Sequence, residues 1–262
     1  MVEDFKMARI REKRWGDKDE RLISPVTVNR ALSTLRLMYN YAERCGYQVA
    51  NPVKGVEFFK EIGRTRIISL EEETAYLSAA SQPLKDIARI LLDVGMRPEE
   101  VFRIEIANLD FSKRTIFNPF GKTPTARRKL TMTDEVCSIL KARALGAKSE
   151  FAFPSPEDPK RPIGSVRKAH DAAVGRSKIA PAFRLYDLRH TYASRAVMAG
   201  VDLPTLAALL GHTSIQMTMR YVHPAEEHKR EAAGKIENFK TVSAMKLAER
   251  SHGVPTVSTT VQ

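Results

Sequence analysis

The amino-acid sequence predicts a mainly α-helical protein with one small antiparallel β-sheet, a short helical segment preceding a larger domain. Three observations lead there. Apolar residues recur at helical spacing along most of the chain, as in Val28, Leu32, Leu35, Tyr39 and Ala42, or Ile87, Ile90, Leu91 and Val94. Strand-like alternation is confined to two short runs, Arg114 to Phe117 and Arg128 to Met132, around a turn holding Pro119, Gly121 and Pro124. Between the two parts lies KEIGRTR, Lys60 to Arg66, where a glycine and basic side chains including Arg64 and Arg66 suit a linker lying along a polyanion.

The elements follow in order. Met1 to Ile23 is dominated by charge, with Arg9, Arg11, Lys13 and Arg14 on a short helix. Ser24, Pro25 and Thr27 open the next helix, whose stripe begins at Val28, and Gly46 ends it. Asn29, Arg30 and Arg36 fall off that stripe, on what is either a solvated polar face or a binding face. Ser69 and Glu72 have the spacing of a capping box. Leu84 to Val94 reads as a mostly buried helix that Gly95 ends; Pro98, Glu99 and Glu100 start another. Arg97 is thereby fixed at a tight corner, free for a ligand or paired with Glu99 or Glu100. Lys122 sits at the tip of the hairpin, and Arg127, Arg128 and Lys129 thicken a basic rim. A helix over Asp134 to Ala144, a proline-rich loop over Glu150 to Pro162 and a basic helix over Ser165 to Ser177 complete this part.

The most informative stretch runs from Arg184 to Pro224. Tyr186-Asp187-Leu188-Arg189-His190-Thr191 reads as a helix entry in which Asp187 caps free N–H groups and Arg189 and His190 occupy the first turn. An arginine there is well placed to hold a phosphate. Pro204 suits the first position of a helix with the face Leu206, Leu209 and Leu210, and Gly211 suits its left-handed end, so His212 is displayed just past it. Thr213 and Ser214 can cap a further helix with the inward stripe Ile215, Thr218, Met219 and Val222, leaving Tyr221 on a face shared with Met217. Beyond Pro224, AEEHKREAAGKIENF reads as a helix with a sparse apolar side of Ala232, Ala233, Ile236 and Phe239, and a loose tail follows Val254.

Composition narrows the function classes. With 262 residues and 43% hydrophobic content the chain has room for one large or two modest domains. Lysine and arginine number 43 against 31 acidic residues, a net charge of +12, so a polyanion is the first partner to consider and a merely solubilising surface the second. Cys45 and Cys137 are single and far apart, which suits a reducing cytosol. The chain has no apolar run near the roughly 20 residues of a membrane helix, and its charged start lacks a signal-peptide core, so a soluble, cytoplasmic protein is expected. His223 and His228 lack cysteine or carboxylate partners at ligand spacing, and no metal is expected.

DLRHT, LLGH and the later Tyr221, in this order, resemble the catalytic segment of the tyrosine recombinases, the phage-integrase family. DVGMRPEEVFRIEIANLDF resembles that family's first arginine block, and Lys122 in GKTPTARRKL matches its hairpin lysine. TVNRALSTLRLMYNYAERCGYQVANPV is similar to the last part of the core-binding domain, which grips DNA opposite the catalytic domain. The likeness runs from about Thr27 to about Pro224 and is strongest after Arg184. It implies an integrase-type catalytic domain over 69–240, preceded by a partial core-binding domain over 1–62 and a linker at 63–68, with a tail over 241–262. The first segment has room for fewer helices than a complete core-binding domain. The implied DNA contacts are Asn29, Arg30, Arg64, Arg66, Arg127 and Arg128.

The resemblance also implies a chemistry. A free tyrosine has a pKa near 10, so about one in a thousand is ionised at pH 7 and a nucleophilic Tyr221 needs help. Arg97 and Arg189 would clamp the non-bridging oxygens of one phosphodiester while Tyr221 attacks phosphorus, giving a 3′-phosphotyrosyl link and a free 5′-hydroxyl. Lys122 would protonate the leaving oxygen, and His212 would assist as base or as hydrogen-bond partner to the phosphate. Tyr186 stands where the family places histidine or lysine; its phenol can donate a hydrogen bond but carries protons poorly near pH 7, so a support role is expected. His190 is expected to pack. Neither ATP nor any other cofactor is implied. The function implied is site-specific recombination of double-stranded DNA, for integration or excision of a mobile element. The protein would act as a homotetramer coordinated through the C-terminal segment, with accessory DNA-bending proteins as further partners. That segment could equally dock on its own domain. Two alternatives stand beside this reading: a type IB topoisomerase, and a DNA-binding module or inhibitor that kept the fold without turnover.

Overall fold

The computed structural model describes residues 1–16, 20–61, 66–121, 124–222, 234, 236–237 and 239–242. The chain divides into two compact units, Met1–Arg64 and Thr65–Gln262.

In the first unit, α1 (Val2–Ile10) packs on α2 (Pro25–Arg44). The start of α2 follows local rules: Pro25 fills the first turn, where no N–H is needed, and Ser24 Oγ accepts from the Thr27 N–H. Val28 and Leu32 are fully buried with Ile23 and Val53, and Leu35, Phe58 and Phe59 close over them. Asn29 departs from the expected DNA-facing role. It is buried: its Nδ2 donates to the Phe59 carbonyl and to Glu61 Oε1, both at 2.8 Å, and its Oδ1 accepts from the Phe59 N–H at 2.9 Å. A side chain with both ends consumed in this way staples the segment after residue 56 to α2. Arg30 is exposed.

The second unit begins with α3 (Leu70–Ala79), opened by the Ser69–Glu72 capping box. The helix α4 (Leu84–Val94) is its centre: Leu84, Ile87, Ala88, Ile90 and Leu91 are completely buried, at about 1.5–3 kcal/mol for each large aliphatic side chain. Gly95 ends α4 at φ 68°, and a Cβ there would lie 2.1 Å from Tyr192 Cδ1, so both the turn and the packing demand glycine. Then come α5 (Pro98–Phe102) and the antiparallel sheet of β1 (Leu109–Asp110), β2 (Thr115–Asn118) and β3 (Arg128–Thr131) in that order. In the register Ile116 opposite Leu130, both side chains enter the core. β1 is two residues long, too short for alternation to reveal.

The helices α6 (Asp134–Leu145) and α7 (Arg167–Ser177) follow, the second packed against α3. There His170 is buried, its Nδ1 2.7 Å from the Tyr76 hydroxyl and its Nε2 3.0 Å from the Phe183 carbonyl. α8 (Leu185–Met198) lies against α4, and α9 (Leu203–Leu210) and α10 (Gln216–Met219) finish the site-bearing region. Asp187, the third residue of α8, caps a free N–H as expected: its Oδ2 accepts from the Arg184 N–H at 2.8 Å. Two expectations are corrected. Arg189 and His190 are the fifth and sixth residues of α8, past its first turn. α10 stops at Met219, Ile215 and Met219 are exposed, and only Thr218 of the expected stripe is buried. Residues 236–237 and 239–242 are helical with Ile236 and Phe239 exposed; Ala232 and Ala233 lie outside the described residues. Among the described residues no helix is long and apolar enough to cross a membrane.

Candidate active site

The site is built around the last carbonyls of α9. Arg128 Nε donates to the Leu209 carbonyl at 2.7 Å, Arg189 Nη2 to that of Leu210 at 2.7 Å, and Arg97 Nη2 to that of Gly211 at 3.5 Å. Three guanidinium groups from β3, α8 and the α4–α5 corner thus meet the helix end where backbone oxygens carry partial negative charge. Gly211 turns the chain at φ 64°, and a Cβ there would sit 2.8 Å from Arg128 Nη1.

Glu100 holds two of these arginines. Its Oε1 accepts from Arg97 Nη1 at 2.8 Å and its Oε2 from the Arg97 N–H at 2.9 Å, while Arg128 Nη1 and Nη2 reach the same carboxylate at 3.1 and 3.0 Å. Burial works to raise the Glu100 pKa, but the hydrogen bonds and charge of Arg128, with those of Arg97, outweigh it and hold the carboxyl below its usual range. Arg128 is therefore a buried strut, which corrects its placement on a basic DNA-facing rim. A signal for this was present: in β3 Arg128 alternates in phase with Leu130, on the buried side. Arg127 points to solvent. Arg66 is half-buried, paired with Glu72 and donating to the carbonyls of Ile67 and Pro181, so it is engaged within its own unit.

Arg189 is completely buried. Its Nη1 donates to the Gly95 carbonyl at 2.6 Å, and its Nε has no hydrogen-bond partner among the described residues. Burial depresses its pKa to about 10, which still leaves it charged at neutral pH. An oriented, unsatisfied N–H on a buried cation is the donor an anionic oxygen would fill.

His212 lies beside it, with Nε2 3.4 Å from Arg189 Nη2 and Nδ1 2.8 Å from Thr218 Oγ1. Burial first, then the charges of Arg189 and Arg97, push its pKa down to about 4, so the imidazole is neutral at pH 7. Tyr221 is 5% exposed and packs with Ala193, Leu206 and Leu210. Its ring stacks on His212 at 6.2 Å between centroids and lies 5.5 Å from that of His190. It does not share an outer face with Met217, because α10 ends before it and the chain turns inward. Burial raises the Tyr221 pKa, and the positive charge of Arg189 opposes that rise. Tyr186 is exposed, edge-on to His190 at 5.1 Å, and His190 is held toward its neutral form by burial.

Arg97, Arg189, His212, Tyr221 and Tyr186 are thus drawn together around α9, while Lys122, Arg64, His223 and His228 lie outside the described residues. A depression of about 450 Å³ beside them is lined by Arg97, Arg103, Phe120, Gly121, Gly211 and Met217. Permanent cations, a neutral imidazole and a phenol make an arrangement suited to binding a phosphodiester and attacking it. Sequence reasoning missed Thr218 as a partner of His212 and the bridging of two arginines by Glu100.

Residues 65–228 match the model of the phage integrase family. The integrase of Salmonella phage P22 is 29% identical over 188 residues, covering 67% of this chain and 48% of that protein, so the chain spans about half the length of that relative. Tyrosine recombinase XerC of Oceanobacillus iheyensis is 26% identical over 235 residues, covering 81% of this chain and 75% of that protein. Among solved structures, the Tn1549 transposon integrase in complex with a circular intermediate DNA superposes with a TM-score of 0.74 at 19% identity, covering 90% of this chain and 85% of that one, a likeness of fold.

Proposed function

Because this chain belongs to the phage integrase family, we propose that it is a site-specific tyrosine recombinase that breaks and rejoins double-stranded DNA, to integrate or excise a mobile element. The observation that carries this reading is the convergence of Arg97, Arg189, His212 and Tyr221 on the end of α9. In the family the chain resembles, that residue set acts on one phosphate.

The reaction follows from what each group can do. The free Nε–H of Arg189 and the fork of Arg97 bind the non-bridging oxygens and stabilise the charge that builds on them. Tyr221 Oη bonds to phosphorus and gives up its proton, with the neutral His212 beside it as acceptor or hydrogen-bond partner. The bond from phosphorus to the 5′-oxygen breaks, and Lys122 supplies that oxygen with a proton. One phosphate ester replaces another, so a second 5′-hydroxyl can reverse the step without external energy. Tyr186 supports the phosphate through its hydroxyl. As the chain lies, the Tyr221 ring is covered, and α10, a helix of four residues with Ile215 and Met219 outside, is the element that shifts to bring it to phosphorus.

Residues 1–62 serve as the core-binding part, 63–68 as the linker and 69–240 as the catalytic domain. Arg30, Arg64, Arg66 and Arg127 contact phosphates; Arg66 would first leave Glu72. Asn29 and Arg128 are withdrawn from that set, being buried and bonded internally. Partners beyond DNA are further copies of the chain, as a tetramer held through the C-terminal segment, and accessory DNA-bending proteins.

The test is incubation with nicked attachment-site DNA selected from flanking or random sequence. A covalent adduct that disappears in Tyr221→Phe, together with exchange of strands between two DNA partners, is expected. Relaxation of a separate supercoiled, covalently closed plasmid carrying the site without strand exchange, or binding to the nicked site without an adduct, would overturn the reading.

A further inference from the structure

Thr218 is completely buried in the middle of α10, a helix otherwise open to solvent. Its Oγ1 lies 2.8 Å from His212 Nδ1, and its carbonyl accepts the Tyr221 N–H at 3.0 Å. One residue therefore touches both the imidazole and the backbone of the tyrosine. We propose that Thr218 is a positioning residue: its hydroxyl holds His212 by Nδ1, so that Nε2 alone is presented beside Arg189, and its carbonyl ties that setting to the Tyr221 segment. This rests on the recombinase reading only for its kinetic consequence.

The chemistry explains why a hydroxyl suits the place. A carboxylate or a backbone carbonyl could only accept, and would fix the proton on Nδ1. A hydroxyl rotates, donating to a bare Nδ1 or accepting from Nδ1–H, so the ring keeps its direction whether Nε2 gains or loses a proton. The neutral state that burial and the neighbouring arginines impose on His212 makes both roles available at pH 7. Without Oγ1 the imidazole is free to turn about its χ2 torsion, a broad well, and Nε2 leaves Arg189.

The experiment compares Thr218→Val, which keeps the shape and removes the hydroxyl, with Thr218→Ser, which keeps the hydroxyl. In DNA-free full-length protein, the Nδ1 nitrogen resonance of His212, assigned by its loss in His212→Asn, should show a hydrogen bond in wild type and in Thr218→Ser but not in Thr218→Val. Single-turnover adduct formation on nicked DNA should fall about tenfold to a hundredfold in Thr218→Val, no more than the lower limit of the roughly 10²–10⁴ that a positioned acid or base contributes, because His212 itself remains. DNA affinity should be unchanged, and Thr218→Ser should recover most of the rate. The loss should also vanish in a His212→Asn background, since a residue acting through His212 has nothing left to position there. An unbonded Nδ1 in the wild type overturns the proposal whatever the variants do, as does an undiminished Thr218→Val effect in His212→Asn. If no protein forms an adduct while the resonances behave as described, the recombinase reading fails and the Thr218–His212 pairing stands.

Discussion

Replacing Glu100 tests whether the paired arginines are organised by that carboxylate. The Glu100 and Arg128 side chains are 8% and 7% exposed, so removing the acid strands a charge in a place water does not reach. Breaking a buried pair from one side costs about 3–5 kcal/mol, whereas the more exposed Arg97 contact adds about 1 kcal/mol or less. Glu100→Ala should therefore lose about 3–5 kcal/mol in urea unfolding at pH 7, and Glu100→Gln, which keeps an acceptor, about 1–3 kcal/mol. The double replacement Glu100→Leu with Arg128→Met removes both charges and should recover most of that stability. It should nevertheless form the covalent adduct slowly, because Arg97 has lost its anchor. Protonation supplies a second arm. The folded-state pKa of Glu100 is depressed below the ordinary glutamate value of 4.5, so its stabilisation is present above about that pH and is lost as the pH falls through the folded value. Wild type should lose stability on acidification below pH 4.5 more steeply than Glu100→Gln. A Glu100→Gln protein within about 0.5 kcal/mol of wild type at pH 7, the usual range of surface substitutions, would refute the reasoning.

Further outcomes follow from the same geometry. Arg189→Lys keeps the charge but cannot reach the carbonyls of Gly95 and Leu210 while offering a third N–H, so single-turnover cleavage should fall about 10²–10³-fold. Asn29→Ala should destabilise the protein by about 1–3 kcal/mol and leave the salt dependence of DNA binding unchanged, since its bonds are internal. Arg127→Ala should do the reverse, reducing the slope of log affinity against log salt by about 1 with little effect on unfolding. His212 has a folded pKa of about 4 against 6.5 when unfolded. A depressed histidine costs the fold stability as pH falls from the upper value toward the lower one. His212→Asn should accordingly flatten the stability profile between those values, and no step in adduct rate between pH 6 and 8 should trace to His212.

Much of this was legible because it is local. Ser69 and Glu72 cap a helix by contacts three residues apart, and Gly95 and Gly211 satisfy a left-handed turn that few other residues tolerate. Other features depend on partners far along the chain. Asn29 looks solvent-facing on a helical wheel, and only Phe59, thirty residues on, makes it a staple. The charge of Arg128 suggests a place on the surface, although the alternation of its strand puts it inside. Tyr221 shares a face with Met217 only on a helix that continues past Met219, where α10 stops. The types of residue at the site could be named from sequence, but three arginines arriving on three consecutive carbonyls is a matter of tertiary approach, which no spacing encodes.

Those three carbonyl anchors at Leu209, Leu210 and Gly211 belong to the main chain, and a side-chain substitution does not delete them. Alanine scanning across 209 and 210 would consequently register only lost apolar packing and overlook their hold on the guanidinium groups. What the arrangement cannot absorb is a change of length. One residue inserted within α9 between Leu206 and Leu209 would turn the Leu209 and Leu210 oxygens about 100° around the helix axis, on the 3.6-residue turn, and unhook Arg128 and Arg189 together. The tether is written in the count of residues there more than in their identity.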